Sequence, residues 1–197
     1  MAHTMADYEQ AVAPHKHDLF AGIGGRILEL GAGTGPNAVY YPPGSTWIAL
    51  EPNPYMYPYL KQAAQTHGLH LELAAGRAEA IPLADASVDA VVSTLVLCSV
   101  SNPSQVLQEV LRVLKPGGTF HFLEHVAAPT QTRLWHWQKR LKPLWRCLAD
   151  GCCPDRETGR SVEQAGFASV NYTAFEAPLP ALVRPQLVGR AHKAALA

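Results

Sequence analysis

Three glycines at alternate positions are the first residues whose spacing suggests a chemical task. Gly31, Gly33 and Gly35 follow the apolar run 25–30. Glycine lets a backbone turn sharply and approach a ligand closely. Glu51 ends a second apolar run, where an acidic side chain can accept hydrogen bonds from ribose hydroxyls. The pattern therefore predicts a ligand that contains a nucleoside.

The glycine spacing departs from that of dinucleotide-binding loops. Their fingerprint is G-x-G-x-x-G, whereas this loop reads G-x-G-x-G and has Pro36 where the third fingerprint glycine belongs. A tight turn without a ligand can produce the same local pattern. Acidic residues on both apolar runs, Glu29 and Glu51, favour a bound ligand over that alternative.

Strand-like and helix-like segments alternate along the chain and must position these residues. Strands are predicted over 25–30, 46–51, 69–75, 88–97 and 119–125, and helices over 54–67 and 102–114. Alternation of this kind predicts a doubly wound parallel sheet, whose ligands bind beyond the carboxyl ends of the strands. The expected crevice is formed by residues 31–37, 51, 75–79, 94–100 and 124–126.

Composition limits the classes of protein that the chain can represent. Its 197 residues fit one domain, and its formal net charge of zero indicates no basic surface for nucleic acid. Four cysteines without a CxxC pair predict free thiols in a reducing compartment. No signal-peptide core is recognised, and no apolar run approaches the ~20 residues of a membrane span. We expect a cytoplasmic protein that acts on a small molecule.

Four segments carry a resemblance to a known superfamily. They read LELGAGTG (28–35), LEPNPYM (50–56), AEAIPLADASVDAVVS (78–93) and EVLRVLKPGGTF (109–120). In this order and spacing they resemble the class I S-adenosylmethionine-dependent methyltransferases. The resemblance implies a Rossmann-like, three-layer α/β fold with a mostly parallel seven-stranded sheet and an antiparallel last strand. Strands six and seven are then expected over 167–175 and 186–194.

The same resemblance implies a cofactor, S-adenosyl-L-methionine, and the residues that hold it. Glu29 would attract the ammonium of its amino-acid part, directly or through water, and Glu51 would accept the ribose hydroxyls. Arg77 stands where many methyltransferases have an Asp for the adenine amine, so Glu79 or a backbone carbonyl is expected to take that role. The expected cofactor contacts are Glu29, Gly31, Ala32, Gly33, Gly35, Asn37, Glu51, Pro52, Asn53, Gly76, Arg77, Ala78, Glu79, Thr94 and Leu95.

Shorter segments resemble one branch of the superfamily, the thiol S-methyltransferases called methyltransferase-like seven. They read YYPPG (40–44), AAG (74–76), TLVLCSV (94–100), EHVAA (124–128), DGC (150–152), and APL followed by LVRP within 177–185. This branch implies methyl transfer to a small apolar thiol, giving a methyl thioether and S-adenosyl-L-homocysteine. Its members begin with an apolar membrane-anchoring segment, and none is recognised in this sequence.

Thiol methylation singles out candidate catalytic residues. A thiol with a pKa near ~8.5 is only slightly ionised at pH 7, so a group that removes its proton favours reaction. His125 is the candidate base or thiolate-orienting group, with a loop-shaping histidine as the alternative. Asp150 is a second candidate. Cys98, Glu124 and Trp137 are expected in the wall of the substrate pocket.

No metal site is predicted. His121 and His125 lie on the same side of a strand, about 13 Å apart by its rise, which is too far to share one ion. His15 and His17 are spaced more suitably, but they lie in the terminal segment.

Two outer segments are interpreted as covers. In the tryptophan-rich segment 132–151, apolar residues recur at helical spacing among Lys and Arg. A lid over the acceptor pocket is favoured over a helix on a membrane surface, and core packing produces the same pattern. The segment around Tyr8 and Lys16 is expected to cover the cofactor. We therefore expect one methyltransferase domain, 1–197, with an N-terminal cap at 1–24 and a substrate lid at 126–155.

Other functions stay open. Related sheets host phospholipid and quinone methyltransferases, so an amine or hydroxyl acceptor is an alternative. A nicotinamide-dependent oxidoreductase is disfavoured by Pro36. A non-catalytic protein that binds S-adenosylmethionine is disfavoured by the intact glycine loop and Glu51.

Overall fold

The computed structural model describes residues 2–149 and 151–196. Its helices are α1 (Ala2–Phe20), α2 (Tyr57–His67), α3 (Pro103–Val113), α4 (Arg133–Leu148) and α5 (Thr158–Glu163). Its strands are β1 (Arg26–Leu30), β2 (Thr46–Leu50), β3 (His70–Ala74), β4 (Val88–Thr94), β5 (Leu114–His125), β6 (Ser169–Glu176) and β7 (Pro185–His192). No helix within these ranges is long and apolar enough to cross a bilayer.

The strands form one sheet in the order β3-β2-β1-β4-β5-β7-β6. Strands β1 to β5 pair in parallel, whereas β7 runs antiparallel to both β5 and β6. This confirms the predicted fold class, including the antiparallel last strand. The strand order reverses between β1 and β4, so the switch point lies where the glycine loop leaves β1.

Buried apolar side chains cover both faces of the sheet and define three layers. On one face, α3 packs through Val106, Leu107 and Val110, which are fully buried. On the other face, α1 and α2 pack through Val12 and Leu60. A helix layer on each side explains why the central strands read as continuous apolar runs.

Strand β4 ends at Thr94, three residues before the predicted boundary. The chain turns at Leu95, whose φ is +58°. Beyond that turn, the Glu124 carboxylate accepts the backbone N–H of Val96 and of Leu97, both at 3.1 Å. A buried side chain thus satisfies amides that a longer strand would have placed in the sheet, and periodicity alone does not reveal this.

Two further boundaries differ from the predicted ones. The helix expected over 54–67 begins with a 3₁₀ turn at Pro54–Met56, and the α-helix starts beside Pro58. Strand β5 starts at Leu114, because residues 115–118 form an irregularity in its pairing with β4 and remain within the strand. The predicted cap of α3 is confirmed, since the Asn102 side chain accepts the N–H of Gln105 at 3.2 Å.

Helix α1 is attached to one face of the sheet near both of its ends. His121 Nδ1 lies 2.8 Å from the carbonyl oxygen of Leu19, and Arg190 Nε donates to the same oxygen at 3.0 Å. Nearer the other end, the Tyr8 hydroxyl donates to Gln186 Oε1 at 3.0 Å. Because side chains alternate along a strand, His125 shares the α1 face with His121.

Candidate active site

The glycine loop requires glycine for two different reasons. Gly31 and Gly33 have φ values of +57° and +56°, a region that other residues rarely adopt. A Cβ on Gly31 would lie 2.8 Å from Val96 Cγ2, so close packing also excludes a side chain there. Around Gly33 the space is open, with the nearest atom at 4.0 Å. Gly33 therefore leaves room beside the loop.

Glu51 ties the end of β2 to this loop. Its carboxylate accepts the backbone N–H of Gly33 through Oε2 and that of Asn53 through Oε1, both at 2.9 Å. The Asn53 side chain in turn accepts the N–H of Tyr55 at 3.1 Å. A carboxylate oxygen can accept more than one hydrogen bond, so Glu51 keeps acceptor capacity toward a ligand.

A cavity of about 530 Å³ opens at the carboxyl ends of β1, β2 and β4. Most of its lining belongs to the predicted cofactor contacts. Its walls are Gly31, Leu50, Glu51, Pro52, Gly76, Arg77, Ala78, Glu79, Leu95, Val96, Ser99 and Val100. We name it the β2 cavity.

Arg77 and Glu79 take different positions in the wall of the β2 cavity. The Arg77 side chain is 72% exposed, 3.6 Å from the Glu79 carboxylate. Glu79 Oε1 accepts the backbone N–H of Ser101 at 2.8 Å. Burial raises the pKa of Glu79, but hydrogen bonds from backbone amides and the charge of Arg77 outweigh it and leave a lowered pKa. Glu79 is thus an ionised acceptor at this wall.

A second cavity, of about 240 Å³, lies between the glycine loop and α1, and we name it the α1 cavity. Tyr8, Glu9 and Lys16 of α1 face Glu29, the glycine loop and Thr94 across it. Gly31 and Leu95 line both cavities, so the two adjoin. Another cavity, lined by His15 and Arg190 among others, lies along β6 and β7 and belongs to neither.

Glu29 is deeply buried in the wall of the α1 cavity and accepts hydrogen bonds from three side chains. Its carboxylate accepts from Asn37 Nδ2 at 2.6 Å, Trp47 Nε1 at 2.8 Å and the Tyr41 hydroxyl at 2.9 Å. Burial raises the pKa of Glu29 to about 7, although these donors and the charge of Lys16 oppose the rise. The oxygen Oδ1 of Asn37 is buried without a hydrogen-bond donor.

His125 lies in a cluster of sulfur and nitrogen atoms at the end of β5. Its Nε2 is 2.9 Å from Cys152 Sγ, and Trp145 Nε1 donates to the same sulfur at 3.1 Å. Hydrogen bonding from Cys98, then from His125 and Trp145, lowers the pKa of Cys152 against the opposing effect of burial. The other ring nitrogen, His125 Nδ1, is buried without a partner. We call Cys98, His125, Trp145 and Cys152 the thiolate cluster.

Contacts distant in sequence build the thiolate cluster. The backbone N–H of Cys153 donates to the carbonyl of Cys98 at 2.9 Å, which joins the segment after α4 to the turn after β4. Gln138 fixes α4, since its Oε1 accepts the N–H of Ala128 at 2.7 Å and its Nε2 donates to Leu182 at 2.9 Å. Helix α4 thereby brings Trp145 onto Cys152.

Three predicted pocket residues have other surroundings. Glu124 is fully buried and accepts from the Ser93 hydroxyl at 2.6 Å as well as from the two amides beyond β4, so it shapes the turn and faces neither cavity. Trp137 is 54% exposed and also faces neither. Cys98 is buried in the thiolate cluster. Asp150 lies outside the described residues.

Sequence reasoning missed Cys152, Trp145 and Gln186 as candidate site residues. Gln186 is the register partner of His125 across β5 and β7, and its Nε2 is buried without a partner. The available signal for Cys152 is its place in the segment DGC, one of those that resemble the thiol S-methyltransferases. No local pattern marks Gln186, because its neighbour on β5 is more than fifty residues away.

The outer face of α4 is apolar and exposed. Trp137, Leu144 and Leu148 are 54%, 59% and 75% exposed. Their spacing puts them on one side of the helix, so they form a continuous apolar stripe. Arg133 and Arg140 are also exposed, and helical geometry puts them along the edge of this stripe. The inner face carries Gln138 and Trp145, so α4 covers the thiolate cluster with one face and presents an apolar stripe with another.

Comparison with known proteins agrees with this geometry. A methyltransferase domain family matches residues 28–122. A S-adenosylmethionine-dependent methyltransferase from Thermotoga maritima, 20% identical, has the same fold with a TM-score of 0.63, covering 94% of this chain and 91% of its own. The sheet, the glycine loop and the matched domain define a class I methyltransferase.

Two human relatives narrow the family. Thiol S-methyltransferase TMT1A is 43% identical over 94% of this chain and 81% of its own length. Thiol S-methyltransferase TMT1B is 43% identical over 90% of this chain and 78% of its own length. The protein belongs to the family of these thiol S-methyltransferases.

Proposed function

We propose that the protein transfers the methyl group of S-adenosyl-L-methionine to a small apolar thiol, giving a methyl thioether and S-adenosyl-L-homocysteine. The observation that carries this proposal is the buried imidazole of His125 beside the cysteine sulfur of Cys152, in a chain related to thiol S-methyltransferases. When bound, the cofactor would supply a methyl carbon attached to a sulfonium, and a nucleophile that attacks this carbon in line would release S-adenosylhomocysteine.

The residues of the two cavities fit this cofactor. Glu51 and Glu79 supply acceptors in the β2 cavity, where the nucleoside would be held. The oxygen Oδ1 of Asn37 is buried near Glu29 without a hydrogen-bond donor. It can accept a hydrogen bond from the cofactor's ammonium, which carries three N–H donors. Lys16, 1% exposed and 2.6 Å from Glu9, supplies a cation for a carboxylate. The amino-acid part would therefore lie in the α1 cavity, with α1 as its cover.

The acceptor thiol would lie beneath the first half of α1, between the cavities and the thiolate cluster. Two nitrogens on this face of the sheet, His125 Nδ1 and Gln186 Nε2, have no hydrogen-bond partner. Tyr8 covers this part of the face through its hydrogen bond to Gln186. In the proposal, His125 removes the acceptor's proton, and the buried surroundings exclude water that would compete as a hydrogen-bond donor. Asp150 remains a second candidate for this task.

The predicted domain organisation stays part of the proposal. Residues 1–197 form one methyltransferase domain in which 1–24 acts as a cap and 126–155 as an insert over the acceptor site. Trp145 on Cys152 supports the covering role of α4. Its exposed apolar stripe, bordered by Arg133 and Arg140, supports a second role as a weak contact to an anionic membrane surface.

Two measurements test the proposal. The first is a methyl-transfer assay over thiols, amines and phenols, in which turnover of thiols above the others is expected and turnover of amines or phenols alone would contradict it. The second is thermal stabilisation by S-adenosylhomocysteine compared with NAD. Stabilisation by NAD alone would instead favour the oxidoreductase.

A further inference from the structure

Two nitrogen atoms contact Cys152 Sγ, and the indole nitrogen of Trp145 can act only as a donor toward it. The indole N–H of Trp145 has no acceptor capacity, so Cys152 Sγ accepts in that bond. His125 Nε2 lies 2.9 Å from the same sulfur, and the tautomer of the ring decides which of the two atoms carries the shared proton. A thiolate at Cys152 accepts both the indole N–H and an N–H from Nε2, whereas a thiol would donate its own proton to Nε2 and leave Nδ1–H as a buried donor without an acceptor.

A thiolate at Cys152 would determine which nitrogen of the imidazole carries the proton. If Nε2 carries the proton donated to the thiolate, then Nδ1 of a neutral ring is a lone pair. That nitrogen is buried and has no partner. A buried acceptor without a donor is costly, so Nδ1 in this state is suited to accept a hydrogen bond from a ligand.

Gln186 supplies the complementary group. It pairs with His125 in the antiparallel register, so the two side chains stand on the same face, and its Nε2 is a buried donor without an acceptor. Its Oε1 is already occupied by the Tyr8 hydroxyl, which fixes the amide orientation. A thiol offers S–H to Nδ1, and the thiolate that results accepts the N–H of Gln186.

We infer that Cys152 is a positioning residue for His125, holding the imidazole in the Nε2-protonated tautomer so that Nδ1 removes the proton of the acceptor thiol. This inference rests on the proposed function and adds a residue to it. Cys152 takes the place that a carboxylate occupies in an acid–histidine pair. Gln186 holds the acceptor sulfur.

The proton and electron balance of the step is complete within this arrangement. The acceptor's S–H bond breaks, its proton moves to Nδ1, and its electron pair stays on sulfur. That pair forms the new S–C bond while the bond from the methyl carbon to the sulfonium breaks, leaving its pair on S-adenosylhomocysteine. The imidazolium, stabilised by the Cys152 thiolate, then returns its proton to solvent.

A shared metal ion fits the cluster less well. The ligand atoms of Cys98, His125 and Cys152 all lie within 4.8 Å of one another, as in sites for soft metals. However, sulfur and nitrogen ligands of one tetrahedral zinc are about 3.5 Å apart, given their bond lengths. The observed 2.9 Å between His125 Nε2 and Cys152 Sγ is shorter than that separation, so the two atoms are in direct hydrogen-bonding contact.

The other ionisable groups around His125 favour Cys152 as its anionic partner. The pKa of Cys98 is raised by its hydrogen bond to Cys152 and by burial, and burial raises the pKa of Tyr8 on α1 and of Glu124 on β5. Arg156 is the nearby cation of the segment after α4, and its guanidinium donates to backbone carbonyls of 98 and 100.

The first test compares acceptors that need a base with acceptors that do not. An aliphatic thiol is mostly protonated at pH 7, whereas an electron-poor aromatic thiol is mostly ionised. We expect Cys152→Ser to lower kcat/KM for the aliphatic thiol by about tenfold or more and to leave the aromatic thiol nearly unchanged. Cys152→Asp, which restores an anion, is expected to recover the wild-type pH profile. The matched control is Cys153→Ser, a buried neighbour whose sulfur lies 3.7 Å from the carbonyl oxygen of Gly151.

The second test does not depend on activity. Nitrogen-15 spectra of the imidazoles in the wild-type protein should show His125 protonated at Nε2, and Cys152→Ser should shift it to a mixture of tautomers. The wild-type spectrum remains decisive even if the variant fails to fold.

The outcomes separate the inference from the function on which it rests. A wild-type protein that methylates no thiol contradicts the proposed function. A protein that methylates thiols while Cys152→Ser loses the same factor on both acceptors, or loses nothing, overturns the role of Cys152. An Nδ1-protonated His125, or one zinc ion bound per chain, overturns it as well.

Discussion

The carboxylate of Glu51 accepts the backbone N–H of Gly33 at 2.9 Å, which joins the end of β2 directly to the glycine loop at the end of β1. The same side chain lines the β2 cavity. One residue therefore shapes the loop and lines the cavity proposed to hold the nucleoside, so its removal should affect binding through both.

Replacing Glu51 by Ala should weaken binding of S-adenosylhomocysteine by about a hundredfold, since two charge-assisted hydrogen bonds to the loop and those to the ribose are lost together. Titration calorimetry measures the change. Glu72→Ala is a suitable control, because Glu72 is exposed and pairs with Arg26 on the edge of the sheet. Unchanged affinity for Glu51→Ala would reject its role.

Replacing Gly33 by Ala should lower cofactor affinity more than it lowers stability. The open space beside Gly33 admits a Cβ without collision, so the cost to folding is about 1 kcal/mol from the positive φ alone. Gly44→Ala is the matched control, since Gly44 has a φ of +82° and open space but lines neither cavity. Equal affinities in the two variants would contradict a ligand beside Gly33.

Glu29 should make stability fall as pH rises. Its pKa in the folded protein, about 7, exceeds the ordinary value of 4.5, so the folded state binds more protons than the unfolded state in this interval. The unfolding free energy of the wild type, relative to Glu29→Gln, should decrease between pH 4.5 and 7 by at most roughly 3 kcal/mol. Urea unfolding across this range checks the sign, and a flat difference would refute it.

Replacing His125 by Ala should lower turnover of aliphatic thiols mainly below pH 8, because above that pH these thiols increasingly ionise without help. Rates measured from pH 6 to 9 give the profile. His136→Ala, on the exposed surface of α4, serves as the control. A loss of the same size at every pH would show that His125 positions the acceptor without removing its proton.

Replacing Trp137 by Ser should weaken binding to vesicles that contain anionic lipid by several-fold, because an exposed aromatic side chain of the α4 stripe is removed. Tyr59→Ser is matched in exposure, since both side chains are 54% exposed and Tyr59 lies on α2. Co-sedimentation measures both variants. Absence of binding by the wild type would exclude the membrane contact.

Local patterns were sufficient for the elements that carry their own signal. The cap at Asn102 and the apolar face of α3 are encoded within a dozen residues, and both are found as predicted. The end of β4 was misjudged because Glu124, about thirty residues later, takes the amides of Val96 and Leu97. The sequence shows which residues are polar, but not which distant amides they will satisfy.

The candidate site also combines residues that local patterns predict with residues that distant contacts bring together. Glu51 and the glycines follow from a loop whose geometry is local. Cys152 stands beside His125 because the Cys153 amide reaches the Cys98 carbonyl across more than fifty residues. Such a contact leaves no periodicity and no motif spacing in the sequence, so only the folded chain reveals it.

Helix α1 crosses the end of the α1 cavity and is held to the sheet through Leu19 at one end and through Tyr8 nearer the other. A molecule whose amino-acid part occupied that cavity would lie under α1, and we expect it to leave when the Tyr8 end detaches. The residence time of S-adenosylhomocysteine would then depend on how tightly α1 is attached to the sheet, although α1 takes no part in the chemistry. Turnover is expected to slow with anything that tightens α1, including bonds far from the reacting sulfur.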